Sequence, residues 1–208
     1  MQIGIIGAGN VGTGLSKLLR PKGHEIMLSF TKDANQLAQS AKSFGARSGS
    51  VSDAVGFGEV VVLATPWVVT KEALAQAGAP AGKKILWDCT NALKPDMSGL
   101  AIGTTTSAGE EIQRAAPWAR VVKAIPPFAE LMHTRDVRIG GKGVGIFVAS
   151  DDAEAKRVVI SLVQDLGAEP TDAGPLMNAR YIEPAGFLLV QLAYVQGLGS
   201  KIGLSLLH

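Results

Sequence analysis

The chain has 208 residues, of which 47% are hydrophobic and only 18% charged, and its formal net charge is +2. That balance excludes a disordered chain, and the lack of any basic block excludes a nucleic-acid partner. The single cysteine, Cys89, excludes an intrachain disulfide and suits a reducing, cytoplasmic setting.

Ile3, Ile5 and Ile6 make a short apolar run that predicts a buried strand. Gly4, Gly7 and Gly9 interrupt the run, so it does not read as a secretory leader. Gly7-Ala-Gly9-Asn-Val-Gly12 follows at once, and residues 13–20 read as a helix with Leu15, Leu18 and Leu19 on one face. Strand, glycine turn and helix in this order form the context in which G-x-G-x-x-G signals dinucleotide binding. Gly7 permits the tight turn, Gly9 lets the backbone approach a pyrophosphate, and Gly12 lets helix and strand pack closely. The helix N-terminus offers free N–H groups and a partial positive charge to the phosphates.

Residues 24–30 predict the second strand. NAD-binding domains place an acid near its end, where it accepts from both ribose hydroxyls. Ser29, Phe30, Thr31 and Lys32 stand there instead, and the first acid is Asp33. Hydroxyls and a lysine favour a 2′-phosphate, so the chain is expected to take NADP(H) over NAD, with Asp33 capping the next helix over residues 33–44. Residues 45–49 read as a turn into a third, weak strand, and residues 51–57 as a short helix.

Residues 59–65 predict a strand buried on both faces, ended by Pro66, which forces Thr65 into an extended conformation. Thr65 and Pro66 thus fall at the carboxyl edge, where open α/β sheets bind ligands. Val60 to Val69 is too short to span a membrane and contains Pro66. Residues 67–77 read as a helix, with Trp67 either a core anchor or a residue flanking the cofactor. Residues 83–91 read as a strand with Asp88, Thr90 and Asn91 at its ligand-facing end and Cys89 turned to the core. Ser107 and Glu110 have capping-box spacing for a helix reaching about residue 116. A strand over 119–125 and the Pro126-Pro127-Phe128 exit follow. Residues 130–138 form a polar loop with His133 as its acid or base candidate, and residues 141–149 are expected to form a last central strand. Residues 151–166 read as a helix, and residues 169–172 as a short strand. Beyond Leu176, the stripe of Leu188, Leu189, Leu192, Val195 and Leu198 predicts a buried helix that covers the cleft or a second subunit.

These segments predict an α/β, Rossmann-type doubly wound, mostly parallel sheet with a small C-terminal helical appendage. The expected division is a dinucleotide-binding domain over 1–150 and a closing segment over 151–208. No Ser/His/Asp set, metal-ligand spacing or Cys/His cluster is present, so no residue is assigned as catalytic; Lys123 and His133 are the only acid–base candidates.

Gly7-Ala-Gly-Asn-Val-Gly12, Thr65-Pro-Trp67, Asp172-Ala-Gly-Pro-Leu176, Asn178-Ala-Arg180 and Gln191-Leu-Ala-Tyr194 together resemble the NADPH-dependent coenzyme F-420 reductases over essentially the whole chain. The resemblance implies a homodimer that passes hydride between NADP(H) and a deazaflavin. It implies phosphate contacts at Gly9, Asn10 and Val11, and a 2′-phosphate site at Ser29, Thr31 and Lys32. It further implies a nicotinamide and deazaflavin face at Thr65, Pro66, Asn91 and Ala124. Two departures stand out. Phe30-Thr31 replaces the frequent Ser-Arg, and Lys123-Ala-Ile-Pro-Pro-Phe128, which would line the acceptor pocket, is a residue shorter than in the family. Three functions stay open on the sequence: reduction of a deazaflavin (coenzyme F-420) or flavin, NADP-dependent reduction of a small carbonyl or imine, and dinucleotide binding without catalysis.

Overall fold

The computed structural model describes residues 1–31, 33–78 and 80–207. Six parallel strands form the central sheet: β1 (Gln2–Ile6), β2 (Glu25–Ser29), β3 (Arg47–Ser48), β4 (Val60–Leu63), β5 (Lys84–Asp88) and β6 (Ala119–Lys123). Their order is β3-β2-β1-β4-β5-β6, so the chain reverses direction across the sheet between β1 and β4. In a doubly wound sheet that reversal opens the ligand crevice.

Period-two alternation divides the strands between two cores. Ile3, Ile5, Val60, Val62, Ile85 and Trp87 point into one, and Ile6, Val61, Leu63, Leu86 and Val121 into the other. Helices cover both faces: α1 (Asn10–Leu19), α2 (Ala34–Ser43), α3 (Val51–Phe57), α4 (Trp67–Ala75) and α5 (Ala108–Ala115). Asp33 caps α2 through Asn35 N and Gln36 N, Ser50 and Asp53 form a capping box on α3, and Ser107 caps α5. Helix α4 ends two residues earlier than expected. Fully buried Trp87 is fixed by donating from Nε1 to Ala124 O at 2.8 Å.

After β6 come a short helix α6 (Ala129–His133) and a hairpin of β7 (Arg138–Ile139) and β8 (Lys142–Gly143). β9 (Gly145–Val148), α7 (Ala153–Asp165) and β10 (Glu169–Asp172) then form a β–α–β unit, followed by α8 (Ala179–Val190). Residues 141–149 do not form one central strand. Gly140 and Gly141, with φ of 60° and 82°, make the hairpin turn, and only β9 remains to pair, in parallel, with β10. β9 is joined to the central sheet through one antiparallel bridge, Lys123 to Ala149.

Helix α8 contains Pro184 and runs on into a π-helical turn, Gln191–Val195. The stripe expected to be buried is not. Leu188, Val195 and Leu198 lie 56%, 65% and 61% exposed, because α8 turns one apolar side to the cleft and leaves the other uncovered. No described helix is long and apolar enough to cross a membrane.

Candidate cofactor site

The glycine loop divides into structural and open positions. Gly7 sits at φ +117°, and a Cβ there would lie 2.4 Å from Ala64 O. A Cβ on Gly12 would lie 1.9 Å from Gly7 O. These two glycines build the turn and do not face the cleft. A Cβ on Gly9 meets no atom within 4 Å. Gly9 is the N-cap of α1, with no side-chain cap and no acid in the first turn, so its N–H groups face open space. Both features fit a pyrophosphate. His133 lies behind the loop, its Nε2 3.1 Å from Asn10 O. A carbonyl only accepts, so this nitrogen carries the proton and His133 braces the loop.

At the end of β2, Ser29 is fully buried and its hydroxyl donates to Ile5 O at 2.9 Å. It ties β2 to β1 and is withdrawn from the 2′-phosphate site. Phe30, at φ 59°, turns the chain, and exposed Thr31 follows. Thr31 lines a hollow of about 390 Å³ together with Gly9, Asn10, Thr13, Gln36 and Ser40. Lys32 lies outside the described residues.

A larger cavity of about 450 Å³ runs along the carboxyl edge of the sheet. Its cofactor end is lined by Gly9, Asn10, Val11, Thr65, Pro66 and Asn91. Its far end is apolar, with Ile125, Pro127, Phe128, Phe147, Leu189 and Val190. Residues 202–204 supply one wall, where Gly145 N donates to Leu204 O at 2.7 Å. Ala124, expected on this face, is fully buried behind it and contributes its carbonyl to Trp87. Cys89 reaches the cavity wall, but burial, aided by the Asp88 carboxylate, pushes its thiol well above the usual range and leaves it protonated.

Asp88 does not line the cavity. It is fully buried, with Oδ2 2.9 Å from Lys123 Nζ. Lys123 also donates to Thr90 O at 2.6 Å and lies 2.9 Å from Glu183 Oε1. Burial works to lower the Lys123 ammonium, but the Asp88 and Glu183 carboxylates outweigh it and hold it above its ordinary range. Glu183 accepts in turn from Ala108 N and Gly109 N at the start of α5. Lys123 is therefore a sealed structural cation, out of reach of any substrate.

Above this network, Asn91 Nδ2 donates to Glu183 O at 3.1 Å, which turns the amide oxygen the other way. Asn91 Oδ1 is buried without a hydrogen-bond partner, in a residue that lines the cofactor end of the cavity. An orphaned acceptor in that position fits an amide donor from a ligand. At the rim, Tyr194 donates to Glu130 Oε1 at 2.9 Å and packs edge-on to Phe128. Burial and the Glu130 carboxylate push its phenol up to about 12. The sequence assigns no site role to Glu130 or Glu183 and marks Tyr194 only as part of a motif of the resemblance. Glu183 carried a local signal, as the single charged residue among residues 181–195.

Residues 2–92 match the family described as NADP oxidoreductase, coenzyme F-420-dependent. A proposed F-420-dependent NADP reductase from Arthrobacter sp. FB24 superimposes with a TM-score of 0.87 at 28% identity, covering 99% of each chain. A hypothetical protein from Sinorhizobium meliloti gives 0.77 at 23% identity, over 100% of this chain and 95% of that one. An imine reductase from Streptomyces aurantiacus gives 0.70 at 14% identity, over 94% of this chain and 64% of that one, a likeness of fold alone. Over residues 2–92 the chain thus matches the coenzyme F-420-dependent NADP oxidoreductase family, and across its length it has the Rossmann-type fold of an NADP-dependent oxidoreductase with a C-terminal appendage.

Proposed function

We propose that the chain transfers a hydride between NADPH and a deazaflavin of the coenzyme F-420 type, or a flavin-type ring, held in the 450 Å³ cavity. The observation that carries this reading is one continuous cavity. It runs from the open glycine loop, past the orphaned Asn91 Oδ1, into an apolar chamber. The pyrophosphate falls to Gly9, Asn10 and Val11 and the 2′-phosphate to Thr31 and Lys32. The nicotinamide falls to Thr65 and Pro66, with its carboxamide donating to Asn91 Oδ1. NADPH when bound supplies the hydride; the chain holds two flat rings together and keeps water out.

A small carbonyl or imine would need a proton donor at its reacting atom. Lys123 is sealed and His133 is committed to Asn10 O, so the acceptor that asks least acid–base help is favoured. The segment from residue 151 on closes the site, and its uncovered apolar face meets a second copy in a homodimer.

NADPH oxidation with coenzyme F-420, then FMN and FAD, tests the reading. Turnover with the deazaflavin or a flavin is expected. Clear NADPH binding without turnover on any of the three would overturn it. Asn91→Ala is expected to weaken NADPH binding about tenfold, the loss of one well-placed hydrogen bond to a buried acceptor; unchanged affinity would remove Asn91 from the nicotinamide site.

A further inference from the structure

Gly186 lies inside α8, lines the large cavity and packs against Asn91. A Cβ there would lie 3.0 Å from Asn91 Nδ2 and 3.0 Å from Ile125 Cδ1. Glycine weakens a helix interior, and alanine is the better helix former at such a position. What the missing side chain provides is room for the Asn91 amide. On the same helix, Glu183 O accepts from Asn91 Nδ2 at 3.1 Å. A carbonyl only accepts, so the amide nitrogen must face it and Oδ1 must turn the other way. Asn91 Oδ1 is buried there with no hydrogen-bond partner among the described residues. Glu183 is itself held firmly, since its carboxylate meets Lys123 Nζ, Ala108 N and Gly109 N. Helix α8 therefore acts on Asn91 twice: a hydrogen bond decides which way the amide faces, and a gap decides how close it sits.

We propose that Gly186 is a positioning residue for the nicotinamide: the room it leaves lets Glu183 O seat Asn91 so that Oδ1 receives the carboxamide N–H of the cofactor. The inference rests on the placement of the nicotinamide beside Asn91 in the reductase reading, and it requires no particular acceptor. It makes α8 part of the cofactor site as well as a wall of the acceptor chamber. It also gives the buried charges of Asp88, Lys123 and Glu183 a role beyond stability, because they join β5, β6 and α8 in the register at which the Glu183 carbonyl meets Asn91. A methyl at position 186 would displace the amide by a few tenths of an ångström, and a hydrogen bond weakens as its length and angle depart from ideal.

The test is equilibrium binding of NADPH and of 2′-phospho-ADP-ribose, which keeps both phosphate sites and lacks the nicotinamide. Gly186→Ala is expected to weaken NADPH about fivefold, to leave 2′-phospho-ADP-ribose unchanged, and to melt at or above the wild-type temperature. Adding Gly186→Ala to Asn91→Ala should cost nothing beyond the tenfold loss of Asn91→Ala alone, since the side chain it acts through is gone. Losses that multiply in the double variant, an equal loss for 2′-phospho-ADP-ribose, or unchanged NADPH affinity in Gly186→Ala would each overturn the proposal. Asn91→Ala with wild-type NADPH affinity would overturn the nicotinamide placement along with it. Acceptor turnover is read separately: the expected binding pattern with no reduction of any deazaflavin or flavin would leave the seating of Asn91 standing and sink the acceptor assignment.

Discussion

Gly9 and Gly12 belong to one motif, yet they answer to different physics. A methyl on Gly12 would lie 1.9 Å from Gly7 O, so strand and helix must move apart. A methyl on Gly9 meets no protein atom, so only a ligand is obstructed. Gly12→Ala is expected to cost about 1–3 kcal/mol of stability as an overpacked site. Gly9→Ala should leave the melting temperature nearly unchanged and still lose NADPH binding; thermal unfolding and cofactor titration on the two proteins check the split. A similar contrast holds at the end of β2. Ser29→Ala removes a buried hydrogen bond and should cost about 1 kcal/mol while leaving the preference for NADPH over NADH as it was. Thr31→Ala should lower that preference with no loss of stability, and equal losses for both nucleotides would put the 2′-phosphate elsewhere. The sequence could say that residues 29–32 carry no acid, because that is a matter of composition. It could not say which hydroxyl faces outward, because that depends on strand pairing: Ser29 follows the buried side of β2 and Thr31 lies beyond the turn at Phe30.

Among the elements, α5 and α8 are clamped onto the sheet by charge. Glu183 binds the start of α5 and Lys123, while Arg180, one turn earlier on α8, makes a two-pronged contact with Glu110. Lys123→Met would leave Asp88 and Glu183 buried without their cation, at a cost of about 3–5 kcal/mol. Changing Glu183→Gln in the same chain should return part of it. The clamp also sets the pH response. Arg180 and Ser107, working against partial burial, hold the Glu110 carboxyl below its ordinary value of 4.5. The stability it contributes is complete above pH 4.5 and is lost as pH falls through the lowered value. Lys123 behaves oppositely: its share is complete below its ordinary 10.5 and is lost as pH rises beyond it. Denaturant unfolding of Arg180→Ala should therefore show a shallower decline below pH 4.5 and an unchanged alkaline limb. The first six strands and their helices were legible because apolar runs and caps are local signals; Asp33 and Ser107 cap where their spacing says. The clamp was not, since Asp88, Lys123 and Glu183 meet only after β5, β6 and α8 are in place. Residues 141–149 misled for a related reason: their apolar alternation is real, but glycines at 140 and 141 reverse the chain first.

For the whole molecule, the apolar surface of the last third must be explained. Tyr181, Leu188, Val195, Leu198 and Leu207 are all at least half exposed, in a chain whose central strands are sealed. Isolated apolar residues on a surface are ordinary, but several of these lie along α8 and the chain beyond it, the face that the proposed homodimer would bury. A two-fold contact would set that face against itself and bury both copies at once. The π-helical turn at 191–195 then has a consequence. It carries Tyr194 at the cavity rim while Val195 beside it and Leu198 beyond it stay exposed, so in the proposed dimer one segment would serve both the chamber and the partner. Light scattering of the wild type is expected to give twice the 21.6 kDa chain mass. Leu188→Asp with Val195→Asp should give the single-chain mass, keep NADPH binding at the distant glycine loop, and raise KM for the acceptor as the chamber wall formed by α8 loosens. A wild type of single-chain mass at all concentrations would remove the dimer. A monomeric variant with unaltered acceptor KM would show instead that association and the acceptor chamber are independent, and that α8 holds its wall by the Glu183 clamp alone.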